Sequence, residues 1–341
     1  MTTAEDPGGE RSEAPRDDTT THRDDDAPED SVPSDTSTCT DGARPGDSLR
    51  VEKFHGTDND FVVVPAGSAP PDPGRFAAVH CDRETGIGAD RPGRTGADGL
   101  LVLDLEAAAV PPRVGMTLYQ PDGGTAAMCG NGARCVAAWA HRRCGAREVV
   151  IETGAGDRRA RVESVEGGDP TVTVEMGVPS FDAPGLVDPD RAPVPLWETA
   201  VEGLTVSAVD TGVPHAVAFV DDVDAVELEA VAPPVRHAAV FPDGANVTLA
   251  HPTDRGFAQR TFERGVEGET RACGTGAVAI AAVARRLGLL DAGETTVSPP
   301  GGELRVTVPE GGPATLAGPA RFEYATTLRV PADDAEGGRD R

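Results

Sequence analysis

The chain has 341 residues, enough for one large or two medium domains, and 38% of them are apolar, enough for real cores. Acidic residues outnumber basic ones 57 to 31, for a net charge of −26, and Lys53 is the single lysine. That balance excludes a basic stripe for nucleic acid or an anionic membrane, and it fits a halophilic protein whose self-repulsion is screened by concentrated salt.

Residues 1–48 are rich in Asp, Glu, Thr, Pro, Ser and Gly and have almost nothing apolar to bury, which predicts a disordered acidic tail. The N-terminus carries no apolar export signal, and no segment approaches the length of a membrane-spanning helix. Of the six cysteines, Cys39 lies in the tail, and Cys81, Cys135 and Cys144 read as structural. None forms a Cys-x-x-Cys pair, and a chain of this size needs no disulfide staple, so a cytoplasmic protein is expected.

Order begins near Ser48. Leu49–Phe54 and Phe61–Val64 read as strands around a turn at Gly56–Asn59, followed by strands at Leu100–Leu105 and Met116–Tyr119. A helix is predicted from about Gly132 to a stop at Gly145, then strands at Val149–Glu152, Arg159–Val165 and Thr171–Met176. Past Pro179 the pattern restarts, with strands at Thr205–Val209, His215–Phe219, Ala245–Ala250 and Gln259–Glu263. A second helix covers about Gly276–Leu287. Strands return at Thr295–Val297, Glu303–Val308, Thr315–Ala320 and Phe322–Leu328. Both helices are nearly apolar on all sides, so each must be enclosed, most simply by a wrapped sheet.

Each helix follows the same word, Cys-Gly-x-Gly-Ala, at Cys129 and again at Cys273. A cysteine just before a glycine-rich helix start holds its thiol against backbone N–H groups and the positive end of the helix dipole. Two such thiols in related halves suit removal of a proton from one face of a carbon and its return on the other. Carbanion charge spreading into a carboxylate would be met by the N–H groups of Gly130, Asn131, Gly274 and Thr275, with no metal and no pyridoxal cofactor. Dipole and hydrogen bonds are expected to bring the thiol pKa values toward neutrality. A thiol redox protein and a non-catalytic module for small acids are the competing readings; the missing Cys-x-x-Cys spacing weakens the first.

With these words stand Phe54-His-Gly-Thr-Asp-Asn-Asp-Phe61, Gly86-Ile-Gly-Ala-Asp90, Pro121-Asp-Gly123, Gly212-Val-Pro-His215, Gly244-Ala-Asn246 and Glu263-Arg264. In this set and order the chain resembles the diaminopimelate epimerases over about 50–330. The resemblance implies a cofactor-independent isomerase of lysine biosynthesis that interconverts LL- and meso-2,6-diaminopimelate, with Cys129 and Cys273 as the catalytic pair. It implies that His215 and Glu263 tune the thiols. It implies that Asn59, Gly99, Gln120, Gly130, Asn131, Val213, Asn246, Glu263, Arg264, Gly274 and Thr275 bind the substrate. A homodimer is common in the family. The implied fold is α/β (α+β): two pseudo-symmetric domains, each a curved, mostly antiparallel sheet or barrel around a central helix. Residues 49–177 would form the first half, joined by final strands at about 318–331, and 178–317 the second.

Three departures stand out. Gln120 and Val213 replace the family's asparagines at positions that resemble distal-end binders, so they bear on substrate identity and not on reaction type. Residues 91–98 look like an insertion, which makes Gly99, and not Arg91, the position after the motif aspartate. A related two-cysteine racemase acting on another amino acid is the nearest alternative; the paired charges of Glu263 and Arg264 argue against proline.

Overall fold

The computed structural model describes residues 43–166, 169–291 and 293–332. The predicted acidic tail, through residue 42 and including Cys39, lies outside the described residues. In chain order the elements are β1 (Ser48–Gly56), β2 (Asn59–Pro65), α1 (Pro73–His80), β3 (Gly99–Glu106), β4 (Arg113–Tyr119) and β5 (Thr125–Ala126). Next come α2 (Gly130–Cys144), β6 (Glu148–Thr153), β7 (Gly156–Glu166), β8 (Asp169–Gly177), β9 (Thr199–Val201), β10 (Leu204–Asp210) and β11 (Pro214–Phe219). They are followed by α3 (Leu228–Arg236), β12 (Asn246–Thr253), β13 (Gly256–Glu263), β14 (Gly268–Thr270) and α4 (Gly274–Arg286). The last four are β15 (Glu294–Ser298), β16 (Leu304–Thr307), β17 (Ala314–Pro319) and β18 (Arg321–Arg329).

The strand pairings repeat. β1 and β2 are antiparallel, β2 and β3 parallel, β3 and β4 antiparallel, β4 and β6 parallel, and β6, β7 and β8 form an antiparallel run. The same sequence of relations links β10, β11, β12, β13, β15, β16 and β17. α1 and α3 are the crossovers before the third strand of each repeat, and α2 and α4 those before the fifth, β6 and β15. The repeats are stitched through equivalent strands, since β8 pairs antiparallel with β17 and Val174 faces Leu316. The final strand, β18, pairs with β1. This sheet-dominated α+β arrangement encloses both apolar helices. Ala133 to Ala140 of α2 and Gly276 to Ala284 of α4 are buried in one continuous core.

Local chemistry explains the boundaries. The β1–β2 hairpin turns at Thr57 and Asp58 with φ of 56° and 58°, the doubly left-handed geometry of a two-residue turn. For a β-branched threonine that geometry is strained. α2 ends at Gly145, left-handed at φ 70°, with His141, Arg142 and Arg143 in the last turn against the negative dipole end. α1 and α3 have no counterpart among the predicted elements. α1 is a single short amphipathic stretch started by the Asp72 cap and Pro73. α3 contains Pro233 and Pro234, which read as breakers, yet Leu228, Ala232 and Val235 bury one face and decide the outcome. Among the described residues no helix is long and apolar enough to cross a membrane.

Candidate active site

The two cysteine words lie at the N-termini of α2 and α4, and those termini abut. A Cβ built on Gly274 would lie 3.7 Å from the Gly130 Cα, 3.3 Å from Asn131 Oδ1 and 2.7 Å from Leu316 Cδ2. Asn131 crosses the junction: its Nδ2 donates to the Ala272 carbonyl at 3.0 Å and to Asn59 Oδ1 at 3.3 Å. Cys129 and Cys273 are the N-caps, each in extended backbone, and each sulfur accepts an N–H from the third helical residue, Gly132 or Gly276, at 3.4 Å. The main-chain N–H groups of Gly130, Asn131, Gly274 and Thr275 are first-turn donors that have no carbonyl partner within their own helix. Cys129 is partly exposed and Cys273 is 5% exposed.

Around Cys273 the polar groups form a directed chain. Glu263, at the end of β13, takes a hydrogen bond from the Thr270 hydroxyl, and its carboxylate lies close enough to the Cys273 thiol to raise that thiol's pKa. Thr275 Oγ1 stands 3.4 Å from Cys273 Sγ and 3.1 Å from His215 Nε2. The ring's tautomer follows from its neighbours. Asn246 Oδ1 accepts the Arg264 N–H at 2.7 Å, so its Nδ2 must be the atom 3.3 Å from His215 Nε2, and it can only donate. Nε2 is therefore an acceptor, the Thr275 hydroxyl donates to it, and Nδ1–H donates to Thr248 Oγ1 at 3.0 Å. Burial, with Arg264 nearby, pulls the His215 pKa down to about 3, so the ring is neutral.

On the Cys129 side the thiol donates to Asn59 Oδ1 at 3.7 Å, and Asn59 Nδ2 donates to Asp98 Oδ2 at 2.7 Å. Behind them lies an ionic cluster. Asp60, held below the ordinary carboxylate range by Arg83 and Lys53 against the cost of its burial, pairs with Arg83 at 2.8 Å and Lys53 at 2.9 Å. Lys53 spends its other two N–H groups on the carbonyls of Arg94 at 3.0 Å and Gly96 at 2.8 Å. A compact tetrahedral ammonium suits three convergent acceptors where a planar guanidinium would not. The one lysine in the chain thus pins the 82–98 loop beside Asn59. Among the described residues no three His, Cys, Asp or Glu side chains are grouped as metal ligands would be.

The diaminopimelate epimerase family model matches residues 51–181 and 207–323. A diaminopimelate epimerase of Methanothrix thermoacetophila is 42% identical over 80% of this chain and 93% of its own length. That of Methanocella arvoryzae is 40% identical over 83% and 97%. The chain belongs to the diaminopimelate epimerase family. Among solved structures, a hydroxyproline epimerase from Agrobacterium vitis with bound trans-4-hydroxy-L-proline aligns over 85% of this chain and 94% of its own. The TM-score is 0.57 at 18% identity. A PhzF-family phenazine biosynthesis protein of Bacillus anthracis aligns over 83% and 99%, with a TM-score of 0.56 at 15% identity. At those identities the likeness is one of fold.

Against this family background, most of the predicted site residues converge. Asn59, Gly130, Asn131, His215, Asn246, Glu263, Arg264, Gly274 and Thr275 belong to the two hydrogen-bonded networks or to the helix junction between them. Gln120 comes close to the residue after Arg264, its Nε2 being 3.7 Å from where a Cβ on Gly265 would stand. Val213 lies in the turn before β11. Thr211 in that turn donates its hydroxyl to the Thr275 carbonyl at 3.1 Å, but the valine itself offers no polar atom beyond its main chain. Gly99 opens β3, and the space for a side chain there is filled by Leu118 at 2.7 Å and the Tyr119 carbonyl at 2.9 Å, so it can present only main chain. Arg91 stacks on Tyr324 at 4.4 Å.

One expectation needs correction. Burial outweighs the helix dipoles: the Cys129 pKa is pushed up to about 11 and that of Cys273 well above its ordinary value, with the Glu263 charge adding to the rise. Both thiols therefore rest protonated, and a partner must take a proton before either acts as base. His215 accepts a hydrogen bond from the Thr275 hydroxyl, whose oxygen stands 3.4 Å from Cys273 Sγ. Thr248, Thr270, Asp98 and Arg134 escaped the sequence reading. Only Arg134 directly adjoins a cysteine word, and its type gave no hint of burial.

Neutral His215 makes the fold acid-sensitive. The unfolded ring titrates near 6.5 and the folded one near 3. The unfolded state therefore binds the proton first, and stability falls as pH drops from about 6.5 toward 3. The loss amounts to roughly 4–5 kcal/mol at about 1.4 kcal/mol per pH unit. Urea midpoints for His215→Gln across that range should show a flatter acid limb than the parent; an equal slope would contradict the neutral assignment.

Proposed function

We propose that the protein is an isomerase that interconverts LL- and meso-2,6-diaminopimelate in lysine biosynthesis, by two-base proton transfer between Cys129 and Cys273 and without a cofactor. The observation that carries this reading is the pair of abutting helix N-termini, each capped by a cysteine. A carboxylate received by the N–H groups of Gly130, Asn131, Gly274 and Thr275 would have its α-carbon between the two sulfurs. Glu263 then takes the Cys273 proton, since burial raises its pKa and makes it a better acceptor than an exposed carboxylate. The thiolate removes the α-proton, and the electron pair of the broken C–H bond spreads into the carboxylate, which faces two sets of N–H dipoles. The Cys129 thiol delivers its own proton to the opposite face, and inversion is complete. In the reverse direction the sulfurs exchange duties.

Asn59 and Asn131 orient the reacting end, and Arg264 suits the distal carboxylate. Gln120, beside Gly265, and Val213 fall on the distal side and make the length and polarity of the second end the point of specificity. The five described cysteines are free thiols, which supports a place in the cytoplasm. Proton NMR of LL-diaminopimelate in deuterated high-salt buffer tests the reading, with deuterium expected at the α-carbon of the meso product. Exchange on another amino acid alone would keep the mechanism and retire the substrate. Binding with no exchange on any amino acid would leave a small-acid binding module.

A further inference from the structure

Arg134, on the second turn of α2, has 0% of its surface exposed, and among the described residues no carboxylate pairs with it. Its Nη2 donates to Asn131 Oδ1 at 2.7 Å and to Thr57 Oγ1 at 3.0 Å, while Nε and Nη1 have no protein partner. An unpaired buried cation costs several kcal/mol, far beyond what two hydrogen bonds return. Burial lowers its pKa to about 10, which leaves it charged at neutral pH.

The surroundings are cut to admit it. A Cβ on Gly318 would overlap Nη1, and one on Gly56 would fall 3.1 Å from Nη2. The equivalent position on α4 is Val278, so the repeat supplies this cation once. Its two acceptors are informative. Asn131 spans both helix N-termini, and Thr57 occupies the strained left-handed turn that delivers Asn59. The guanidinium also favours the Cys129 thiolate electrostatically.

We propose that Arg134 is a positioning residue of the carboxylate site: it locks the Asn131 amide and the Asn59 turn, and it sets an unneutralised positive charge behind the abutting helix N-termini, so that the site selects a carboxylate-bearing ligand over its neutral analogue. The inference rests on the reading that those termini receive the reacting carboxylate. It adds a full charge to what dipoles alone provide, and a charge in this dry setting is poorly screened by salt.

The test compares alkylation of Cys129 by iodoacetate and by iodoacetamide in the full chain, read by mass spectrometry at one pH. The ratio of the two rates cancels the thiolate fraction, and with it any general change in thiol reactivity. In the parent protein the ratio should exceed that of a free thiol by on the order of tenfold. It should collapse toward the free-thiol value in Arg134→Gln and persist in Arg134→Lys. If Arg134→Gln does not fold, Gly318→Ala displaces the guanidinium by sterics and should lower the ratio several-fold. A parent that prefers iodoacetate and a variant that keeps that preference would overturn the role of Arg134 and leave the carboxylate cradle standing. Equal losses in the Gln and Lys variants would overturn the charge. A parent with no preference would remove the cradle itself, and this inference with it.

Discussion

Cys129→Ala and Cys273→Ala should each abolish epimerisation, lowering turnover by about 10³- to 10⁴-fold, the worth of a positioned acid or base. Loss alone would not separate two bases from one thiol and a structural partner, but stereochemistry does. With one sulfur removed, the other can still take the α-proton from the isomer that presents it and return a solvent deuteron to the same face. Each single variant should therefore exchange the α-hydrogen of one isomer only, and the two variants should choose opposite isomers. Proton NMR in deuterated buffer on LL- and meso-diaminopimelate reads this directly. Parent-like turnover in either variant, or exchange of the same isomer by both, would reject the two-base assignment. Thermal melts should barely move, because both caps keep their extended backbone and the sulfurs make only long 3.4 Å contacts with their helices.

The longer strands and both cysteine-headed helices were legible because their signals are local: alternating burial, apolar helices closed by glycine, and a repeated word; the short strands β5, β9 and β14 were too brief to carry one. β8 reads in strict alternation of partly and fully buried residues, so its pattern alone places it. What stayed hidden depends on tertiary context. α3 forms across two prolines because its buried face packs under β12 and β13, which no propensity reports. The repeat itself was visible in the cysteine words, but the stitching of β8 to β17 was not, since pairing between distant strands leaves no local trace. At the site the residue types were legible and their partners were not. His215 was implied as a thiol-tuning residue, but the Thr275 hydroxyl that stands between it and Cys273 was not legible. Glu263 was expected to meet either a distal ammonium or a thiol, and its carboxylate is committed to Thr270 and Cys273. The thiol pKa values went the wrong way for a physical reason. Sequence reports the helix dipole, which lowers them, but not the depth of burial, which here outweighs it.

Glu263→Gln should lower turnover by about 10²-fold or more, with a much smaller change in KM. The amide keeps the shape and can still meet the Thr270 hydroxyl, but it cannot accept the Cys273 proton at any accessible pH. The same change should make Cys273 more acidic. The carboxylate charge is one of the two causes that lift that thiol, and removing it leaves burial alone to oppose the N–H of Gly276. Iodoacetamide labelling of Cys273 at alkaline pH should therefore quicken while catalysis slows. A residue that merely braced the pocket would slow both or neither. Labelling and turnover falling together would return Glu263 to a structural role, and parent-like turnover would end its candidacy as the proton acceptor for Cys273. Cys129 provides the internal control: Glu263 acts on it only through space, so its labelling should shift far less than that of Cys273.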